Sequence, residues 1–310
     1  MAISYDCSRD DITFCTMCFK MPNEEHLSTI KHANRKFEQF YLKSLLRLCQ
    51  TFKRVALWCD VETAQYLTAH GLGDKIQMRV MDLTELPHWS ERDDACKIMH
   101  FMKRYIGFFL HKRQPETWRD YLPVIWAKPA IMDWAAQNNQ YNSKYFMWID
   151  AGAFSPKYIN SAVWDNWTGA ITARPARVRM TIAPTLGKSR PRFVPRFMYD
   201  LYKWIFGREI MPATAQTLMQ QNFIDIAMIN ADYDVPAGSF MMPLSLCHDF
   251  HVAFERTRKI LKKHNLVCVE QGIFQAMMKL DTDNMFELKY IHGYDGLYAA
   301  IANGEPDCLL

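Results

Sequence analysis

Three short apolar runs punctuate the first half of the chain, with helically spaced stretches between them. No other feature limits the fold as much. DITFCTMCF (residues 11–19), RVALWC (54–59) and YFMWI (145–149) are apolar at odd and even positions alike. Such runs suit strands covered on both faces, as in a parallel sheet. Residues 34–50 place Phe37, Phe40, Tyr41, Leu45 and Leu48 at helical spacing. Residues 61–70 read as a helix stopped by Gly71-Leu72-Gly73, and 75–81 as a third strand. Residues 94–111 predict an amphipathic helix with a basic face. Residues 121–138 predict one more, kinked inside by Pro129. Alternating strand and helix predicts an α/β fold: a doubly wound, mostly parallel sheet flanked by helices.

Beyond residue 150 the texture changes. A strand is expected within 171–183, then a Pro-rich basic loop, PTLGKSRPRFVP, over 184–195. Nine Lys or Arg stand against one acid, Asp200, from Arg174 to Arg208. That stretch suits a phosphate partner, an anionic surface, or a loop closing over a diphosphate. The third reading is favoured. Residues 237–243 form a glycine turn into an apolar segment, 248–263 and 268–280 are helices, and 286–291 are a last strand before His292-Gly293. No repeat is visible, and a single domain over 1–310 with a basic loop insertion is expected.

Hydrophobic residues make up 49% of the chain, enough for a large core and against disorder. A net charge of +4 is too small to argue for a nucleic-acid partner, and none is expected. Nine scattered cysteines imply reduced thiols in a cytosol-like compartment. The opening MAISYDCSRDD has no apolar signal core, and runs such as 106–110 are too short to span a bilayer. A soluble, cytoplasmic protein is the expectation, with peripheral membrane contact left open.

One carboxylate stands out. Asp150 ends the strand KYFMWI and precedes Ala-Gly. In doubly wound sheets ligands bind beyond the carboxyl ends of strands, so Asp150 stands where a binding group belongs. The plainer alternative is an Asp capping its own turn. Asp281-Thr-Asp283 has no apolar strand leading into it and reads as a solvated turn. Cys15-x-x-Cys18 lies on a strand, where residues three apart face opposite sides, so the pair reads as core. His248 and His251 share a helix face and could bind a metal, but no downstream Asp or His partner is evident, and both read as surface or helix-start histidines.

DITFCTMCF, AKPAIMDW, YFMWIDAG, PAGSFMMP and VEQGIF occur in this order. Together they resemble the HtrL/YibB-type family of glycosyltransferases, themselves similar to nucleotide-sugar enzymes of the GT-A, glycogenin-like kind. The resemblance covers about residues 11–298. It implies a nucleotide-binding half over about 11–150 and an acceptor and sugar half over about 151–298. It implies a UDP-sugar donor and a glycan or lipid-linked acceptor. Asp150 would be the first acid of an Asp-x-Asp motif that binds Mn²⁺ or Mg²⁺, but Gly152 stands in place of the second. His292 is the implied second metal ligand. Lys128, 22 residues before Asp150, would touch the acid motif or the donor phosphates. Thr13, Thr16 and Asp60 would cradle base and ribose, and Gly238 would let backbone approach the sugar. Glu270 and Gln271, with Asp150, would act at the anomeric centre, as base or as stabiliser, so inversion and retention both stay open. A GT-A-like binding protein without catalysis is the alternative the missing acid supports.

Overall fold

The computed structural model describes residues 11–22, 37–101, 115–154, 175–184, 233–234, 237–263, 266–279 and 284–290. β1 (Ile12–Cys18), β2 (Val55–Cys59), β3 (Gln77–Val80) and β4 (Tyr145–Ile149) are parallel neighbours in the order β3-β2-β1-β4. Strand order reverses between β1 and β4, which makes their carboxyl ends the switch point of a doubly wound sheet. The fold-class expectation therefore stands.

Both faces are covered, as the two-sided apolar runs require. On β1, Cys15 and Met17 face one core, while Ile12, Phe14 and Cys18 face the other. Trp148 and Phe146 of β4 join the first, Met147 and Ile149 the second. The second face is closed by α1 (Lys43–Thr51) through Leu45 and Leu48, and by α2 (Val61–Ala69) through Leu67. Against the first lie α5 (Tyr121–Trp126) and α6 (Lys128–Asn138), then α7 (Cys247–Lys263) and α8 (Glu270–Lys279). Two short helices, α3 (Arg92–Phe101) and α4 (Pro115–Arg119), precede them. Cys15 and Cys18 are buried free thiols on opposite faces, as their spacing on a strand requires.

The second half extends the sheet with a change of direction. β7 (Ser239–Pro243) runs antiparallel beside β4, pairing Ile149 with Ser239 and Tyr145 with Pro243. β5 (Val178–Pro184) follows, antiparallel to β7, with β6 (Tyr233–Asp234) beyond it. β8 (Phe286–Tyr290) is parallel to β5. Arg179 and Glu287 face each other across that pair, with Nη2 2.7 Å from Oε1.

Two local departures from expectation matter. The segment expected to kink at Pro129 is instead two helices divided at Ala127. Proline has no N–H to give, so it sits at the start of α6, where the backbone donors are unpaired anyway. The break makes Lys128 the first residue of α6. Before α1, Phe37–Leu42 is a π-helical turn rather than α-helix. At the amino edge, the turn before β4 binds three strands. The Tyr141 hydroxyl accepts from Gln77 N at 2.9 Å and faces the Val55 and Lys75 carbonyls at 3.2 and 3.1 Å. Arg54 Nη1 donates to the Tyr141 carbonyl at 3.0 Å, and Thr13 Oγ1 to Ser143 Oγ at 2.9 Å.

Candidate functional site

β4 delivers Asp150 to the switch point, and two neighbours fix its orientation. Side chains alternate along a strand, so Trp148 shares the face of Asp150. Its indole Nε1 donates to Asp150 Oδ1 at 2.8 Å. The backbone N–H of Asp150 donates to the Gly238 carbonyl at 3.0 Å, tying β4 to the turn before β7. Asp150 also begins a 3-10 turn, accepting from Ala153 N at 2.9 Å through its carbonyl.

Lys128 is the centre of the cluster. It is 5% exposed, and its Nζ lies 3.0 Å from Asp150 Oδ1, 2.9 Å from Glu270 Oε1 and 3.0 Å from the Ala237 carbonyl. An ammonium has three protons, and three acceptors use them. The ammonium also lies 5.3 Å from the Trp148 ring centre, within cation–π range. Burial alone would lower the Lys128 pKa; the charges of Asp150 and Glu270 outweigh it and raise it. Glu270 moves the same way for a different reason. Its burial raises its pKa, and Lys128 only partly counters that, because one ammonium is shared between two carboxylates. With both carboxylates ionised the cluster carries one negative charge in excess. The outward part is Asp150, whose side chain is 44% exposed and whose Oδ2 takes no hydrogen bond among the described residues.

Gly152 explains the missing second acid. A Cβ there would lie 3.0 Å from Phe40 Cε1 and 3.4 Å from Tyr41 Cε1. Those rings come from the π-helical turn, a form of irregularity found often at functional sites. A carboxylate at 152 would require the Phe40 ring to give way. Among the described residues no three His, Cys, Asp or Glu side chains converge as a metal site. The set does not suit a resident, protein-caged metal. It does suit a divalent cation arriving on phosphates, since such ions are often held by one or two carboxylates plus phosphate and water.

The structure unites Lys128, Asp150 and Glu270, with the Ala237-Gly238 backbone. Gln271 follows Glu270 in the first turn of α8 and is partly buried. Asp60 lies at the carboxyl end of β2, but both its oxygens are engaged. Oδ1 caps α2 from Thr63 N at 2.8 Å, and Oδ2 accepts from Lys20 N at 2.6 Å. Thr13 and Thr16 do not meet the expectation of a nucleotide cradle: both are interior, 1% and 0% exposed. Thr13 is bonded to Ser143 near the amino edge, because the strand continues past both. His292, Asp281, Asp283 and most of the basic stretch 174–208 lie outside the described residues.

The histidine pair stands at the start of α7, as the sequence reading has it, and gains an upstream partner. Asp133, buried on α6, accepts from His251 Nδ1 at 2.8 Å and from His248 Nδ1 at 3.2 Å, so the pair does have an acidic partner. That partner lies more than a hundred residues away in sequence, beyond what local spacing can signal. Trp148 was reachable, because period-two alternation places it beside Asp150. The Ala237 carbonyl and the Phe40–Tyr41 wall depend on tertiary packing and had no local signal.

No protein-family model matches the chain, and no curated protein matches it. Among solved structures it is similar to core-mannan synthase A from Aspergillus fumigatus in its Mn/GDP form. The identity is 9% and the TM-score 0.42, over 93% of this chain and 74% of that one.

Proposed function

We propose that the chain is a GT-A-type glycosyltransferase that moves a hexose from a nucleoside-diphosphate sugar, UDP-linked in the first instance, to a glycan or lipid-linked acceptor. One observation carries the reading. A buried lysine holds two carboxylates at the carboxyl-end switch point, and one of them, Asp150, turns an unengaged oxygen outward. In this reading residues 11–150 hold the nucleotide and 151–298 the sugar and acceptor. Asp150 holds a Mn²⁺ or Mg²⁺ ion that comes with the donor, with His292 as a second ligand. When bound, that ion neutralises charge on the departing diphosphate. Lys128 is a positioning residue here, since its protons are already taken. Gly238 keeps the backbone close to the sugar, and Asp60 flanks the ribose. Glu270 and Gln271 lie on the sugar side. Glu270, with Oε1 held by Lys128, would act there as base or as stabiliser of an oxocarbenium-like state. None of the described helices is long and apolar enough to cross a membrane; a cytoplasmic location is part of the proposal.

The test is release of UDP or GDP from a panel of nucleotide sugars with Mn²⁺, beside calorimetric binding of the free nucleotides. Asp150→Ala is expected to abolish release, and a fully active variant removes the site assignment. The wall of Phe40 against Gly152 favours a second reading, a donor-binding protein without turnover. Nucleotide binding with no release across the panel selects it. No binding of any nucleotide sinks both.

A further inference from the structure

The Lys128 cluster leaves the outward face of α7 unused. There, an open cleft of about 550 Å³ is lined by Asp133, His248, His251, Arg256, Lys259 and Lys263. Its acids are already engaged. Asp133 accepts from both histidines and from Gln137 Nε2 at 2.9 Å. Burial alone would raise the Asp133 pKa, but the bonds from His251, His248 and Gln137 outweigh it and lower it. Glu255, also on the lining, is held by His88 Nε2 at 2.8 Å and Arg258 Nη2 at 3.1 Å. The cations are not engaged: Arg256, Lys259 and Lys263 have no ion-pair partner among the described residues. They stand three and four residues apart, on one helix face, spanning roughly 10 Å at 1.5 Å per residue. Each imidazole turns Nδ1 to Asp133, so Nε2 is the nitrogen left for a ligand.

We infer that this cleft is a docking groove for an anionic glycan chain, the acceptor of the proposed transferase, on which reading the acceptor role rests. The stripe is longer than a single anionic group and matches a linear chain of spaced charges. Its direction fits the role. His251 meets Asp133 and Arg258 packs over Trp126, so α7 runs antiparallel to α5 and α6. Arg256 therefore lies level with Lys128, which holds Asp150, and Lys259 and Lys263 continue past that level alongside α5. Single-stranded nucleic acid is disfavoured, because among the described residues no aromatic ring other than the histidines lines the groove for bases to stack on. A membrane surface is disfavoured, because the apolar face of α7, with Phe250, Phe254 and Leu261, is buried in the core.

The test uses the full chain and a size-defined oligogalacturonate, with a neutral dextran oligosaccharide, a short DNA duplex and phosphatidylserine vesicles in parallel. Calorimetry is expected to register the oligogalacturonate and not the dextran. Raising salt from about 50 to about 200 mM should weaken it roughly 20-fold, as release of about three counterions requires. Arg256→Ser with Lys259→Ser and Lys263→Ser should weaken it at least about tenfold at low salt. These are surface cations without an ion-pair partner among the described residues, so the fold should be retained, which an unchanged urea midpoint verifies. Histidine ring resonances of His251 should move on titration. Equal binding by the triple variant, equal binding of dextran, or tighter capture of DNA or vesicles overturns the inference. Nucleotide binding separates the two readings. The triple variant should bind UDP as the parent does, and Asp150→Ala should bind oligogalacturonate as the parent does. If no nucleotide binds while oligogalacturonate does, the groove stands and the transferase reading falls. If nucleotide is turned over while oligogalacturonate never binds, the groove falls and the transferase reading stands.

Discussion

Lys128→Met is the most informative perturbation of this fold. Methionine has a similar length, but it removes the ammonium from Glu270 Oε1, Asp150 Oδ1, the Ala237 carbonyl and the face of Trp148. Lys128 and Glu270 have side chains only 6% and 10% exposed, so the loss leaves a buried carboxylate without its cation. Breaking a buried pair from one side costs about 3–5 kcal/mol, a large part of a typical domain's stability. The cost depends on pH. The folded pKa of Glu270 is already raised above 4.5 by burial. Such a group contributes stability that is fully present below the unfolded pKa and is lost as pH rises through the folded one. Without Lys128 the folded pKa rises further, each unit being worth about 1.4 kcal/mol. The deficit of Lys128→Met should thus be largest at pH 8 and shrink steadily toward pH 5, as Glu270 takes up a proton. Lys128→Met with Glu270→Gln removes both charges and should recover more than half of the deficit, since replacing both partners is far cheaper than orphaning one. Urea unfolding at several pH values measures all of this. A deficit constant between pH 8 and 5, with no recovery in the double variant, refutes the reasoning.

Two further predictions follow from packing and charge. Gly152→Ala drives a methyl to within 3.0 Å of the Phe40 ring and should cost about 1–3 kcal/mol; adding Phe40→Leu should return most of the lost urea midpoint, and an unchanged midpoint in the single variant contradicts the wall. Burial would raise Glu91 and Glu255, but Arg258 and His88, with Lys262 at Glu91, outweigh it and lower both to about 2. Their stability is present above the unfolded pKa of 4.5 and is lost as pH falls from there toward 2. Circular dichroism should follow that loss, and Glu255→Gln should make it shallower; an unchanged acid limb removes the network from the account.

The sheet was legible because its cause is local. Short apolar runs of both parities suit strands covered twice, and β1, β2 and β4 lie within a residue or two of where those runs placed them. Asp150 was legible for the same reason, since a strand end is visible in sequence. The partnership of Lys128 with Glu270 was not readable from spacing, because it joins residues 142 positions apart through the Ala237 turn. Thr13 and Thr16 misled because a polar residue in a strand gives no sign of which end of the strand faces water. The direction of β7 was hidden likewise: an apolar segment reads the same whichever way it runs. The pairing of Asp133 with the start of α7 was hidden for the same reason as that of Lys128 with Glu270, since it joins positions more than a hundred residues apart.

The turn before β4 has a bearing on the site at the other end of the sheet. Tyr141 and Ser143 tie the starts of β1, β2 and β3 to the start of β4. Each of these four strands is in effect measured from that turn. A slip of one residue there would exchange the faces of Trp148 and Ile149 and carry Asp150 away from Lys128. The reach of the carboxylate is therefore set at the edge it does not occupy. A one-residue insertion between Tyr141 and Tyr145 would be a mutation of the site, though it touches none of its atoms.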